Sequence, residues 1–104
     1  MLKILEAKEE FDSIVENNGN VIVDFFATWC SPCRHLGEVF HELAEENENV
    51  TILKVDVDKF PEIAQRFNVY SIPQVNIFKG GKEVHSFVGY RDKNAINELI
   101  GKLF

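Results

Sequence analysis

The stretch Val21-Ile22-Val23-Asp24-Phe25-Phe26-Ala27-Thr28-Trp29-Cys30-Ser31-Pro32-Cys33 decides how this chain is read. From Val21 to Ala27 it is apolar on both faces apart from Asp24, the pattern of a central, parallel strand covered on each side. The run ends in Trp29-Cys30-Ser31-Pro32-Cys33, which holds both cysteines of the chain. Pro32 is preset for the first turn of a helix, so strand gives way to helix here, with Cys30 at the positive end of the helix dipole. A thiolate is favoured over a thiol at that position. Two thiols spaced by two residues at such a junction form a reactive dithiol that can cycle with a disulfide.

Two blander readings of the pair are weaker. A purely structural bridge from Cys30 to Cys33 would close a loop too short to remove much chain entropy. A zinc half-site needs two further ligands, for which the candidates are His35, His41 and His85. At about 100° per residue His35 lies roughly 200° around the helix from Cys33, on another face. His41 is two turns further along, and His85 falls in a predicted strand with no partner spaced to join it. No metal site is expected.

The 104 residues suit one domain over 1–104, and 45% hydrophobic content is ordinary for a packed core. Formal net charge is −6, with acidic residues spread over the helical stretches (Glu9, Glu10, Asp12, Glu16; Glu42, Glu45, Glu46, Glu48). No basic stripe exists to neutralise phosphates, which argues against nucleic acid and anionic membranes as partners. The start, Met1-Leu2-Lys3-Ile4-Leu5-Glu6, turns acidic before a signal-peptide core can form, and no apolar run reaches membrane-spanning length. A soluble cytoplasmic protein is expected, and there a vicinal cysteine pair is catalytic rather than structural.

Working outward, a short first strand is expected near Lys3 to Leu5. Phe11, Ile14 and Val15 space as one face of a helix ending near Asn18-Gly19. After the cysteines, Leu36, Phe40, Leu43 and Ala44 mark a helix, Thr51 to Val55 a mostly apolar strand, and Pro61 to Phe67 a short helix. Gln74 to Phe78 and Glu83 to Val88 read as two strands around Lys79-Gly80-Gly81-Lys82, a hairpin signal that makes the sheet mixed. Asp92 can cap a last helix whose Ile96, Leu99, Ile100 and Leu103 follow i, i+3, i+4, i+7 spacing. The order β-α-β-α-β-α-β-β-α describes a three-layer α/β domain.

This order, with Val23 to Cys33, Ser71-Ile72-Pro73 and Phe87-Val88-Gly89 in sequence, closely resembles the thioredoxin family over the whole chain. The resemblance implies the thioredoxin fold, a central mixed five-stranded sheet flanked by four helices, with Pro73 in cis. It implies a protein disulfide reductase that acts as a monomer, needs no bound cofactor, and is re-reduced by a flavin-containing thioredoxin reductase. Three positions depart from the family pattern. Ser31 stands where Gly is usual, and its hydroxyl could donate to the Cys30 thiolate, so Ser31 and Pro32 are read as tuning the redox pair. Glu38, preceded by Gly37, replaces a kinking Pro, so the helix is either straight or bent at Gly37. Gln74 replaces the Thr after the cis-proline, which bears on partner preference.

Within that resemblance Cys30 is the expected nucleophile, nearer solvent and the helix start, and Cys33 resolves the mixed disulfide from one turn inside. Asp24 is either a carboxylate at a solvated strand end or a buried proton acceptor for Cys33 with a pKa raised towards neutrality. Lys54, on the next strand, is its expected charge partner, though a lone lysine there is as readily a surface residue. Trp29, Ile72, Pro73 and Gly89 would frame a shallow apolar surface for an extended substrate segment. Core packing for Trp29 and a simple bulge at Gly89 are the plainer alternatives. The rival from another class is a thioredoxin-fold binding or chaperone-like subunit whose dithiol is incidental.

Overall fold

In a computed structural model describing residues 1–104, the apolar run from Val21 lies at the centre of the sheet. The elements are β1 (Leu2–Ile4), α1 (Phe11–Asn17), β2 (Asn20–Phe26), α2 (Ser31–Glu46), β3 (Val50–Asp56), α3 (Pro61–Arg66), β4 (Gln74–Lys79), β5 (Lys82–Val88) and α4 (Lys93–Leu103). The sheet order is β1-β3-β2-β4-β5. β2 runs parallel to β3, and β3 parallel to β1. On its other side β2 meets β4 antiparallel, so the expectation of a parallel central strand holds on one edge only. The hairpin explains the reversal: β4 and β5 are joined through Gly80 and Gly81, whose φ of +59° and +83° suit the left-handed backbone of a two-residue turn.

The topology puts helices on both faces. The chain leaves β1, crosses over β3 to β2 through α1, then returns from β2 to β3 through α2. Right-handed crossovers taken in opposite directions place their helices on opposite sides of the sheet. Strand alternation divides the core accordingly. Ile22, Ile52, Val75 and Ile77 pack under Leu36, Val39, Phe40 and Leu43 of α2 and under Ile96 and Ile100 of α4. Val21, Val23, Phe25, Leu53, Val55 and Phe78 pack against Phe11 and Val15 of α1, with Phe60 and Ile63. Fully burying one such side chain contributes about 1.5–3 kcal/mol, so the two layers, not helix propensity, hold the elements.

Boundaries differ from the sequence reading by a residue or two. β1 begins one residue earlier than expected, and a short 3-10 turn over Lys8–Glu10 precedes α1. α3 stops at Arg66. Asp92 caps α4 as its spacing suggests, its carboxylate accepting from the Ala95 N–H at 2.9 Å. α2 runs unbroken from Ser31 to Glu46, because Glu38 retains the N–H that a proline there would lack. No helix is long and apolar enough to cross a membrane.

Candidate active site

The cysteines sit where β2 runs out. Beyond Phe26 the backbone turns through Thr28 and Trp29, and the Cys30 N–H donates to the Ala27 carbonyl at 3.2 Å. Cys30 is the N-cap of α2, with extended φ and ψ of −91° and 113°, and Pro32 lies in the first turn. An N-cap side chain meets backbone N–H groups that have no helical partner. Here that side chain is a sulfur: Cys30 Sγ accepts from the Cys33 N–H at 3.2 Å. Cys30 and Cys33 form a disulfide with their Cα atoms 5.2 Å apart. The bridge packs against Ala27 and the half-buried Phe26, Val57 and Ile72.

In the oxidised chain Cys30 is 5% exposed against 2% for Cys33, the expected order, although both sulfurs share one apolar seat. The cap, not exposure, is what tells them apart. Ser31 points into solvent, and the hydrogen bond at Cys30 Sγ comes from the Cys33 backbone rather than from the Ser31 hydroxyl.

The Ile72–Pro73 peptide bond is cis. It brings the Ile72 carbonyl oxygen to 4.0 Å from Cys30 Sγ. The Pro73 carbonyl accepts from the Gly89 N–H at 2.8 Å, tying the loop to the end of β5. Pro73 itself is buried, so it does not frame an exposed surface as expected. Ile72 and Gly89 are half-buried, and Trp29 is 69% exposed, which excludes core packing for the indole. Gln74 is also turned inward. Its amide donates to the Phe67 carbonyl at 3.2 Å and to Asn76 Oδ1 at 2.9 Å, and Asn76 donates on to Glu83 at 2.8 Å.

Sequence reasoning missed several residues here. The Trp29 indole N–H donates to Asp58 at 2.8 Å, and Asp58 is fixed by its own N–H donating to Asp56 Oδ1 at 2.9 Å. Asp56-Val57-Asp58 is an Asx-type turn at the end of β3, a signal present in the sequence but without any mark of its partner. Tyr70, Val88 and Tyr90 are large apolar side chains left exposed, close in sequence to Pro73 and Gly89.

Asp24 lies on the face of β2 that looks towards α2, two residues along from Ile22, and is fully buried. Neither of its carboxylate oxygens has a hydrogen-bond partner. Burial pushes its pKa up to about 7, and the Lys54 charge opposes the rise. The solvated strand-end alternative is therefore excluded. Lys54 is the register partner of Asp24 across the β2–β3 pair, but no direct ion pair joins them. Its ammonium sits 4.6 Å from the centroid of the Phe26 ring. A cleft of about 520 Å³, lined by Arg34, Gly37, Glu38, His41, Glu42 and Lys54, opens beside it and contains neither cysteine.

No three His, Cys, Asp or Glu side chains converge as a metal site; His35 and His41 are exposed on α2 and His85 is half-buried on β5. A Cys-X-X-Cys disulfide capping a helix at the carboxyl end of a central strand, on a strand that also carries a buried acid, defines a thiol–disulfide oxidoreductase. The thioredoxin family profile matches residues 3–102. The chain is 45% identical to the thioredoxin of Chlamydia trachomatis over 98% of both chains. It is similar to the solution structure of oxidised thioredoxin from Plasmodium falciparum, at 36% identity and a TM-score of 0.87 over 98% of this chain and 97% of that one. It is also 44% identical, over 83% of its length, to 19% of a bifunctional thioredoxin reductase/thioredoxin of Mycobacterium leprae. The chain belongs to the thioredoxin family, and it is a protein disulfide reductase.

Proposed function

We propose that residues 1–104 act as one domain in which Cys30 attacks and Cys33 resolves. The Cys30 thiolate attacks a substrate disulfide, forming a mixed disulfide and expelling one substrate thiolate. Cys33 then gives its proton to Asp24 and attacks Cys30 Sγ, which releases the second substrate thiol and leaves the Cys30–Cys33 disulfide. Two electrons have passed from the dithiol to the substrate. The observation that carries this reading is the cap: a backbone N–H already points at Cys30 Sγ and supports negative charge there.

Thiolate tuning is the smaller contribution. Lowering a thiol pKa from about 8.5 to about 7 raises the thiolate fraction at pH 7 roughly sixteenfold, but a Brønsted slope near 0.5 returns about fivefold through weaker nucleophilicity. The larger one is proximity, since well-oriented intramolecular groups reach effective molarities of about 10⁵ M or more. Cys33, one helical turn from Cys30 and already within bonding distance, is such a group. Asp24 supplies the base: burial holds its proton affinity near that needed at neutral pH, and the nearby Lys54 charge keeps it from rising further.

Trp29, Ile72 and Gly89 form the contact surface, with Pro73 buried, and an extended protein segment carrying the disulfide lies across it. The electron donor is a flavin-containing thioredoxin reductase, supported by the fused reductase–thioredoxin relative. The protein works as a monomer in the cytoplasm, in electron transport and in keeping cytoplasmic thiols reduced. A trapping experiment tests the assignment. Cys33→Ser should accumulate a mixed disulfide between Cys30 and substrate protein, and Cys30→Ser should not. Equal trapping by both variants, or a Cys30→Ser protein that keeps its biological effect, would favour a binding subunit with an incidental dithiol.

A further inference from the structure

Gly37 lies in the interior of α2, where glycine costs about 1 kcal/mol relative to alanine. It makes no turn and ends no helix. What it provides is space. A Cβ built at Gly37 would sit 3.1 Å from Lys54 Nζ, and apart from the helix's own backbone no other heavy atom lies within 4 Å of that point. Of the atoms outside the local helix, a Cβ at 37 would therefore meet only the Lys54 ammonium. We infer that Gly37 is a positioning residue for the dithiol chemistry: by lacking a side chain it lets the Lys54 ammonium lie against α2, over the Phe26 ring and facing the buried Asp24 carboxyl.

The surroundings of Lys54 leave the ammonium few alternatives. β2 presents Phe26 and Asp24, β1 places Ile4 opposite it in register, and β4 places Val75 opposite Asp24; the other charge on this face of the strands is Asp56, two residues along β3, whose carboxylate accepts from the Asp58 and Lys59 N–H groups. From α2, Glu38 and Glu42 draw the ammonium outward along the cleft, and Arg34 and His41 border the same opening. A Cβ at 37 requires Nζ to give way by a few tenths of an ångström, and a larger side chain displaces it further towards that cleft, where water screens its charge from Asp24. Lys54 is the one charge found to hold down the proton affinity of Asp24, so its withdrawal lets that affinity rise.

The inference rests on Asp24 as the base, yet it is tested without turnover. The carboxyl carbon of Asp24 is titrated by NMR in the oxidised protein for the wild type, Gly37→Ala, Gly37→Val, Lys54→Met and Gly37→Val/Lys54→Met. The midpoint should rise in Lys54→Met by about 1 pH unit, the scale of an opposite charge beside a carboxylate. Gly37→Val should reproduce much of that rise and Gly37→Ala less of it, whereas the double variant should match Lys54→Met alone. A glycine with only a structural role would change stability and leave the midpoint in place. Unchanged midpoints in both Gly37 variants, or a Gly37→Val shift that adds fully to that of Lys54→Met, would overturn the inference. Gly37→Ala removes a helix-weakening residue and meets no backbone atom of another element, so at least this variant folds. Failure of Asp24 as the base would show separately, as an Asp24→Asn protein with normal turnover.

Discussion

Replacing Asp24 by Ala should make the oxidised protein more stable at neutral pH and no more stable in acid. The folded carboxyl has its pKa raised from 3.8 to about 7 by burial. Between those two values the folded state binds more protons than the unfolded state, so the stability of the wild type falls as pH rises through this window. Below about pH 4 the group is protonated in both states and imposes no ionisation cost. Above about pH 7 the cost is complete: a displacement of about 3 pH units at 1.36 kcal/mol each is about 4 kcal/mol. Ala also loses packing around the vacated volume, about 1–2 kcal/mol for so few atoms. A net gain of about 2–3 kcal/mol remains at pH 8.

The assay is denaturant unfolding of oxidised wild type and Asp24→Ala from pH 3 to pH 8. Working with the disulfide keeps Cys33 from titrating beside Asp24. The stability difference should favour the variant at pH 8, shrink steadily through pH 7 to 4, and vanish or reverse below. The same substitution should slow disulfide reduction while leaving alkylation of Cys30 largely intact, because it removes the acceptor for the Cys33 proton and not the cap at Cys30. A variant less stable than wild type at pH 8, or a difference that does not change with pH, would refute the reasoning. The carboxylate would then be solvated or paired in solution.

In reduced protein at neutral pH, an alkylating reagent should modify Cys30 several-fold faster than Cys33, because only Cys30 Sγ receives a backbone N–H at the helix start; mapping the labelled peptides decides it, and equal rates would remove the nucleophile assignment. Trp29, the only tryptophan and the residue before Cys30, should change its fluorescence between oxidised and reduced protein. Asp58→Ala should release the indole N–H and alter that emission in both redox states, and identical spectra for wild type and variant would mean that the Trp29–Asp58 bond does not persist in solution.

Much of this fold could be read along the chain because its signals are local. Val21 to Ala27 carries strand burial in its own composition, Gly80-Gly81 carries the turn, and Asp92 carries a helix start. The dithiol was legible for the same reason, since strand, cysteines and helix-starting proline are consecutive. What escaped depends on elements meeting across the sequence. Asp58 reaches Trp29 from the end of another strand, 29 residues away. Pro73 is buried and its carbonyl accepts from the Gly89 N–H at the end of β5, and nothing near residue 73 announces that.

Two residues broke local rules and could be seen to do so: a carboxylate inside an apolar strand and a glycine inside a helix. Read singly, Asp24 suggested a proton acceptor and Gly37 only a bend in α2. In the folded chain they are the two sides of one arrangement, with Asp24 the register partner of Lys54 and Gly37 against its ammonium. Each is costly alone, about 4 kcal/mol for the ionised acid from its displaced pKa and about 1 kcal/mol for the glycine. Local rules are expected to fail together where chemistry is done. The pairing of these two exceptions through one lysine, beside a disulfide on the same helix, is why Gly37 belongs to the site rather than to the scaffold.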